Sequence, residues 1–277
     1  EKMAENSIAI IPAHPELIRN NDVHFKFRQD SNFHFLTGFE EPDSIAVFRS
    51  EGGKRSFTLF VRPKDLAKEI WTGYRCGIDG ALSRLGADEA FALESFDAQF
   101  LKLLSGVNRV YYGFHRTAHT NGVELLDTKM LRLLDAARAA AGRTGRGLPA
   151  IHDISEVIGE MRLFKKPEEV TRLKRAADIS ARAHTEAMAR CKPGINEYQI
   201  EALIEYVFRN EGCDRHGYPS IVASGANATI LHYVENNRQL EDGDFLLIDA
   251  GGEFDYYTAD ITRTFPVNGK FTPAQKE

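Results

Sequence analysis

The sequence predicts two domains, an α/β domain with a mixed sheet followed by an α+β domain in which helices precede strands. Three observations carry this. Short runs of β-forming residues alternate with helical periodicity through the first half. A glycine-, proline- and arginine-containing stretch follows near residues 141–150. Beyond it, long helical periodicity gives way to strand patterning. No internal repeat or low-complexity tract interrupts this order.

In the first half, residues 7–11, 44–49, 56–61 and 108–113 are short, rich in β-formers and bounded by turn residues, which predicts strands. Residues 87–104 and 123–141 read as helices, the second with Leu126, Met130, Leu133, Leu134 and Ala137 along one face. Residues 141–150 hold Gly142, Gly145, Gly147 and Pro149 beside Arg143 and Arg146, a composition that predicts a loop with a domain boundary near it. The second half opens with a helix over 167–191, where Val170, Leu173, Ala177, Ala181 and Met188 recur at helical spacing. Lys192-Pro193-Gly194 ends it. Asn196, with Gln199 three residues on, predicts a capping box for a further helix with Ile200, Leu203, Ile204, Val207 and Phe208 as its buried stripe and Gly212 at its close. Residues 220–224, 245–250 and 256–265 then read as strands.

Bulk properties bound the function. The 277 residues are 43% hydrophobic and 27% charged, which suits an ordered globular protein. The formal net charge of −5 argues against a broad nucleic-acid surface. No apolar run is long enough to cross a bilayer, and no secretory signal opens the chain, so no membrane partner is expected. Cys76, Cys191 and Cys213 are odd in number and widely spaced, which fits neither a disulfide framework nor a zinc cluster and predicts a reducing, cytoplasmic setting. The chain starts at Glu1 and stops at Glu277, within a polar stretch from Thr272 to Lys276 that reads as a helix start because Pro273 is tolerated there. The expectation is a piece of a longer protein.

Chemistry concentrates in residues 244–265. Phe245-Leu246-Leu247-Ile248 is a buried strand ending in Asp249; Gly251 and Gly252 turn the chain, and Tyr256-Tyr257-Thr258-Ala259 leads to Asp260. If these two runs pair as a hairpin, the two aspartates fall on one face, and directly opposite side chains lie about 5 Å apart. Carboxylates that close repel each other, and a divalent cation with a taste for oxygen, such as Mn²⁺, resolves the conflict. Strand-end aspartates are also common in turns, so the spacing alone leaves both roles open. His232, after Ile230-Leu231, reads either as a satisfied structural histidine or as a catalytic one. Tyr218, beside Pro219, reads either as a half-buried tyrosine or as a hydrogen-bond partner of a carboxylate ligand.

These residues carry a resemblance. Leu247-Ile248-Asp249-Ala250-Gly251, followed by Asp260-Ile261-Thr262-Arg263-Thr264-Phe265-Pro266-Val267-Asn268-Gly269, resembles the first metal-binding stretch of the Xaa-Pro aminopeptidases (aminopeptidase P), a family of the pita-bread peptidase fold. Ile221-Val222-Ala223-Ser224-Gly225-Ala226-Asn227 with Leu231-His232-Tyr233 resembles its substrate-side segment. Glu160-Met161-Arg162-Leu163-Phe164-Lys165-Lys166-Pro167-Glu168-Glu169 resembles its domain junction, and Arg28-Gln29-Asp30-Ser31-Asn32-Phe33 with Leu36-Thr37-Gly38-Phe39 its N-terminal hallmark. The similarity runs in order along nearly the whole chain.

The resemblance implies an α/β, creatinase-like N-terminal domain with a mixed sheet over 1–155 and the first part of an α+β pita-bread catalytic domain over 156–277. It implies two divalent metal ions, most naturally Mn²⁺, with Asp249 chelating one and Asp260 bridging both, and a hydroxide between them that attacks the carbonyl before proline. It also implies that His232 hydrogen-bonds the substrate or the tetrahedral intermediate and that Tyr218 steadies a ligand carboxylate. Trp71 either packs inside or reaches a neighbouring subunit's site in a homo-oligomer. The family completes its site with one histidine and two glutamates further along than this chain reaches, so the chain alone is expected to be inactive. Prolidase, which cleaves dipeptides ending in proline, and a non-catalytic pita-bread interaction module are the competing readings.

Overall fold

The computed structural model describes residues 3–114, 126–142 and 147–276. It divides into two compact units, Glu1–Leu163 and Phe164–Glu277.

The first unit is laid down as β1 (Ser7–Pro12), β2 (Ile18–Asn20), β3 (Val23–His24), α1 (Ser31–Thr37), β4 (Ile45–Glu51), β5 (Lys54–Val61), α2 (Leu66–Thr72), α3 (Gly77–Arg84), β6 (Glu89–Ala92), α4 (Phe96–Leu103), β7 (Arg109–Tyr111), α5 (Leu126–Ala141), β8 (Ala150–His152) and α6 (Ile154–Leu163). Its main sheet has the order β6-β5-β4-β1-β7-β8. β4 runs antiparallel to β1 and β5, and the outer pairs β5–β6, β1–β7 and β7–β8 are parallel. The sheet is therefore mixed, as the sequence predicts. Alternation along β1 explains its continuous apolar run. Ala9 and Ile11 join Phe33, Ala81, Ile154 and Ile158 in one cluster, while Ile8 and Ile10 join Phe96, Phe100, Met130 and Leu134 in another, so both faces are covered.

The 28–39 stretch has a physical account. Gln29, fully buried, accepts from the His14 N–H at 2.8 Å and donates to the carbonyls of Phe39 (3.2 Å) and Glu41 (2.9 Å). Asp30 caps α1 through the N–H groups of Asn32 and Phe33 at 2.9 and 2.8 Å, and Gly38 closes it at φ +64°, a left-handed conformation suited to glycine.

One prediction in this unit needs correction. Residues 87–104 are not one helix. Glu89–Ala92 pairs in parallel with Thr58–Val61, Leu93–Ser95 forms a 3-10 turn, and only Phe96–Leu103 is α-helical, burying Phe96 and Phe100 one turn apart. Sheet pairing overrides the helical periodicity of the first part. Residues 123–125 of the predicted 123–141 helix, and residues 143–146 of the predicted loop, lie outside the described residues. The expected boundary at 155/156 falls on α6, which buries Ile154 and Ile158 in the first unit's core.

The second unit holds α7 (Pro167–Arg190), α8 (Glu197–Asn210), β9 (Arg215–His216), β10 (Ile221–Ser224), β11 (Phe245–Asp249), β12 (Gly252–Phe254), β13 (Tyr257–Thr258) and β14 (Thr262–Pro266). β10-β11-β14 form one antiparallel sheet and β13-β12-β9 a second. The α8 stripe buries Ile200, Ile204, Val207 and Phe208 against Val222, Leu246 and Ile248, each worth about 1.5–3 kcal/mol of transfer free energy. The Asn196 N–H donates to Gln199 Oε1 at 2.9 Å, as the capping-box spacing requires. Thr272 and Gln275 likewise exchange backbone-to-side-chain bonds at 2.9 and 3.2 Å, so the predicted helix start takes the form of a single turn.

On α7 the buried face is not the one that apolar spacing suggests. Ala177, Ala181 and Met188 are exposed, and Ala176, Ile179, Ser180, Ala183, His184 and Ala187 are buried. With Glu169 near its start also buried, the face carries three polar residues, and Ser180 and His184 lie where chain around the second sheet ends on it. Ser180 Oγ accepts from the Gly252 N–H at 3.0 Å, and the His184 ring, 3% exposed, lies 3.1 Å from the Ala250 carbonyl. That carbonyl can only accept, so Nε2 carries the proton. Nδ1 is then a bare acceptor, buried with no hydrogen-bond partner among the described residues.

Protonating Nδ1 would bury a charge, and burial accordingly pushes the His184 pKa below its ordinary 6.5. The unfolded chain then binds a proton that the folded chain refuses. Stability from this group is complete above the unfolded value and declines as pH falls below it. The urea midpoint is expected to drop between about pH 7 and 5, and to drop less in His184→Gln, whose amide can keep the bond to Ala250. Equal slopes in the two proteins would contradict this.

Candidate metal centre

β11 delivers Asp249 to the middle of its sheet, where it pairs with Ile221 of β10 on one side and Thr262 of β14 on the other. The predicted strand over 256–265 does not exist as one element. Tyr257–Thr258 belongs to the second sheet and Thr262–Pro266 to the first, with the chain passing from one to the other through Ala259–Ile261. The hairpin expectation is thus corrected: Asp260 does not face Asp249 across a ladder but sits in the crossing, just before β14.

A side chain from elsewhere nevertheless brings the two together. The Tyr218 phenolic oxygen lies 2.5 Å from Asp249 Oδ1 and 3.2 Å from Asp260 Oδ1. A phenol has one proton, so it donates fully to Asp249 and leaves Asp260 incompletely satisfied. Burial, then the bond to Asp249 and the charge of both carboxylates, raise the Tyr218 pKa far above that of a free tyrosine, and the proton stays on the ring. Tyr218 is half-buried, as a tyrosine beside Pro219 would be, and is also a ligand-side hydrogen-bond donor.

The convergence depends on close backbone approach. A Cβ on Gly251 would lie 1.7 Å from the Ala259 carbonyl oxygen and 3.2 Å from the Asp260 nitrogen. No rotation relieves a clash with backbone. The Gly251 carbonyl accepts from the Gly217 N–H at 2.8 Å, which places Tyr218 next in the chain, and the Ala250 N–H donates to Ile261 O at 3.1 Å. The residues flanking Asp249, Asp260 and Tyr218 are therefore bonded to one another. The sequence shows Gly251 as a turn glycine; the contact it permits becomes legible only in three dimensions.

Two other predicted residues stand apart from this cluster. His232 is exposed in the segment between β10 and β11 and makes no hydrogen bond among the described residues. Trp71 lies on α2, 87% exposed, beside exposed Ile70 and Tyr74, so it is not packed inside its own unit. Sequence reasoning missed His184 and Glu197, two buried polar side chains of the second unit. A histidine or glutamate on a helix carries no signal of burial unless the correct face is known.

Paired carboxylates with an outer phenol, Asp249 at the end of β11, Asp260 just before β14 and Tyr218 between β9 and β10, define the kind of oxygen-donor centre that metallohydrolases use. Residues 171–277 match Metallopeptidase family M24, and residues 1–111 match the Aminopeptidase P, N-terminal domain. The chain is 42% identical, over its full length, to the Xaa-Pro aminopeptidase of Escherichia coli strain K12, of which it covers 62%. It superposes with a TM-score of 0.92 on proline aminopeptidase P II from Yersinia pestis, at 42% identity over 99% of this chain and 62% of that one. A zinc-substituted E. coli aminopeptidase P in complex with product gives 0.91 at 42% identity over 100% of this chain and 62% of that one. The chain spans about three fifths of the length of these relatives. It belongs to the aminopeptidase P family of metallopeptidases, with the N-terminal domain and pita-bread fold class that the resemblance implies.

Gly251→Ala is expected to destabilise the chain by about 1–3 kcal/mol or more, the range for forced overpacking, and to separate Asp249 from Asp260. Urea unfolding reads the first effect. Metal content of the full-length protein reads the second. A variant with unchanged midpoint and unchanged metal would show the approach to be unimportant.

Proposed function

We propose that the protein carrying this chain is a Xaa-Pro aminopeptidase, hydrolysing the bond between the first residue of a peptide and a proline in second position. The single observation that carries this reading is one phenolic oxygen within hydrogen-bond range of both Asp249 and Asp260. The names of the relatives supply the substrate class.

The donor set fits divalent cations. Two carboxylates share one proton, so negative charge on this surface is incompletely compensated, and hard oxygen ligands suit Mn²⁺. We assign two such ions to the intact protein, and Asp249 and Asp260 would be among the side chains that hold them. When bound, divalent ions polarise the scissile carbonyl and make water a nucleophile near neutral pH. The chain's own residues do the rest. Tyr218 holds Asp249 in one orientation by donating its proton. His232, exposed in its segment, is free to hydrogen-bond the substrate or the developing oxyanion. Trp71, with its unpacked neighbours, contacts the site of another subunit in a homo-oligomer. We read the first unit as a creatinase-like domain and the second as part of a pita-bread domain, with the boundary after α6 rather than at 155/156, and we place the protein in the cytoplasm.

In the full-length protein, Asp260→Asn is expected to lower turnover more than about 100-fold, beyond what loss of an outer partner usually causes, with loss of bound metal by elemental analysis. Retained turnover on an Xaa-Pro peptide would refute the assignment. Preference for an Xaa-Pro dipeptide over longer peptides would make it a prolidase, and metal-free partner binding an interaction module.

The 277-residue chain assayed alone is expected to give no turnover and to bind Mn²⁺ weakly, because two carboxylates do not fix a coordination geometry. Proline-directed turnover by this chain would show that fewer ligands suffice.

A further inference from the structure

The structure assigns Glu197 as a positioning residue for His232, an inference that rests on the proposed role of that histidine. Glu197 is the first residue of α8, completely buried, in the second unit. Its Oε1 accepts from the Ser224 N–H at 2.7 Å, from Ser224 Oγ at 2.7 Å and from Asn227 Nδ2 at 3.5 Å. Its Oε2 accepts from the Tyr233 hydroxyl at 2.8 Å and the Arg238 N–H at 2.9 Å. These donors come from both ends and the middle of residues 224–238, the stretch that carries His232 between two strands.

That stretch has little other order. It contains a 3-10 turn, Gly225–Thr229, and no strand of its own. His232 makes no hydrogen bond among the described residues, so its location is inherited from its neighbours. Tyr233, next to it, is buried and ends on Glu197. A second buried side chain closes the base of the loop: Asn236, at φ +46°, accepts from the Val222 N–H at 3.0 Å and donates to Ser220 O at 2.8 Å. Arg238 Nη1 donates to Ser224 Oγ at 2.8 Å, linking the two ends again.

A buried carboxylate is expensive unless several donors converge on it, and here they converge on both oxygens. The helix N-terminus favours its charge as well. Glutamine cannot replace it. An amide NH₂ would face either the Ser224 N–H or the Arg238 N–H, and neither can turn round to accept. The carboxylate therefore does what a ladder does elsewhere: it holds a strandless loop in one conformation, and the exposed imidazole projects from that loop.

The test uses the full-length protein and the variant Glu197→Gln. Hydrogen exchange is expected to quicken about tenfold or more in residues 224–238 while 179–187 and 245–249 keep their protection, with metal content unchanged. On an Xaa-Pro peptide, kcat is expected to fall about tenfold or more, and to fall less than about twofold when the same change is made in a His232→Asn background. Should Glu197→Gln fail to fold, Tyr233→Phe, which removes one of the five bonds to Glu197 along with the 3.4 Å contacts to Asn237, gives a smaller effect of the same pattern. Unchanged exchange and unchanged kcat would overturn the inference. So would multiplicative losses, or unprotected amides throughout the unit with loss of metal, since both mark a merely structural role. If the unmodified protein proves unable to cleave Xaa-Pro peptides, the functional reading fails by itself. The His232 imidazole resonances then decide: broadening in Glu197→Gln upholds the positioning role, and identical spectra end it.

Discussion

One proton shared unequally between two like charges is the constraint around which the second unit is arranged. Asp249 takes the short bond from Tyr218 and Asp260 the longer one. Two carboxylates facing one donor are a poor arrangement for stability taken alone, since like charges repel even where, as here, Asp249 is half-buried and Asp260 exposed. The fold accepts that arrangement by fixing backbone rather than side chains. Gly251 lies against the Ala259 carbonyl, Ala250 bonds to Ile261, and Gly217 bonds to Gly251. With the main chain tied at these points, the backbone positions that carry the two carboxylates are held close together.

The helices supply the floor under this arrangement. α7 is polar where it meets the crossing between the two sheets and apolar where it meets α8 and β11. Ser180 and His184 bond Gly252 and the Ala250 carbonyl, while Ile179, Ala183 and Ala187 fill the space around Val207 and Ile248. Elsewhere on the helix Glu169 accepts from the Tyr257 hydroxyl at 2.9 Å, and its bond from the Lys166 N–H, the largest influence, lowers its pKa. A helix face built this way specifies which loop lies where, which uniform leucine packing would not do.

How much of this was legible in the sequence follows from what each signal measures. The strands 7–11, 44–49 and 245–250 were readable because each holds a short continuous apolar run bounded by polar or turn residues. The α8 stripe was readable because apolar spacing and a capping box agree on one helix. On α7 the same method chose the wrong face. Small and polar residues are buried there, and Ala177, Ala181 and Met188 look apolar while facing outward. The crossing at Ala259–Ile261 was invisible for a related reason. Residues 256–265 are rich in β-formers throughout, and only the partners of Tyr257 and Thr262 reveal two sheets. Asp249, Asp260 and Tyr218 could each be named, yet their convergence needed Tyr218 to approach from a strand-poor segment 31 residues away in sequence.

The residues that were hardest to see are the buried polar ones, and this is physically consistent. An exposed His232 or Trp71 stands out by residue type, whereas Glu197 gains its meaning only from five donors scattered over residues 224–238. Removing one of those donors leaves the others to compensate. Removing the carboxylate takes the acceptor from all of them at once, and each buried donor left without a partner costs about 1–3 kcal/mol. That asymmetry separates a contact from a keystone. It makes the geometry of an exposed loop, which solvent would otherwise randomise, depend on a side chain that solvent never reaches.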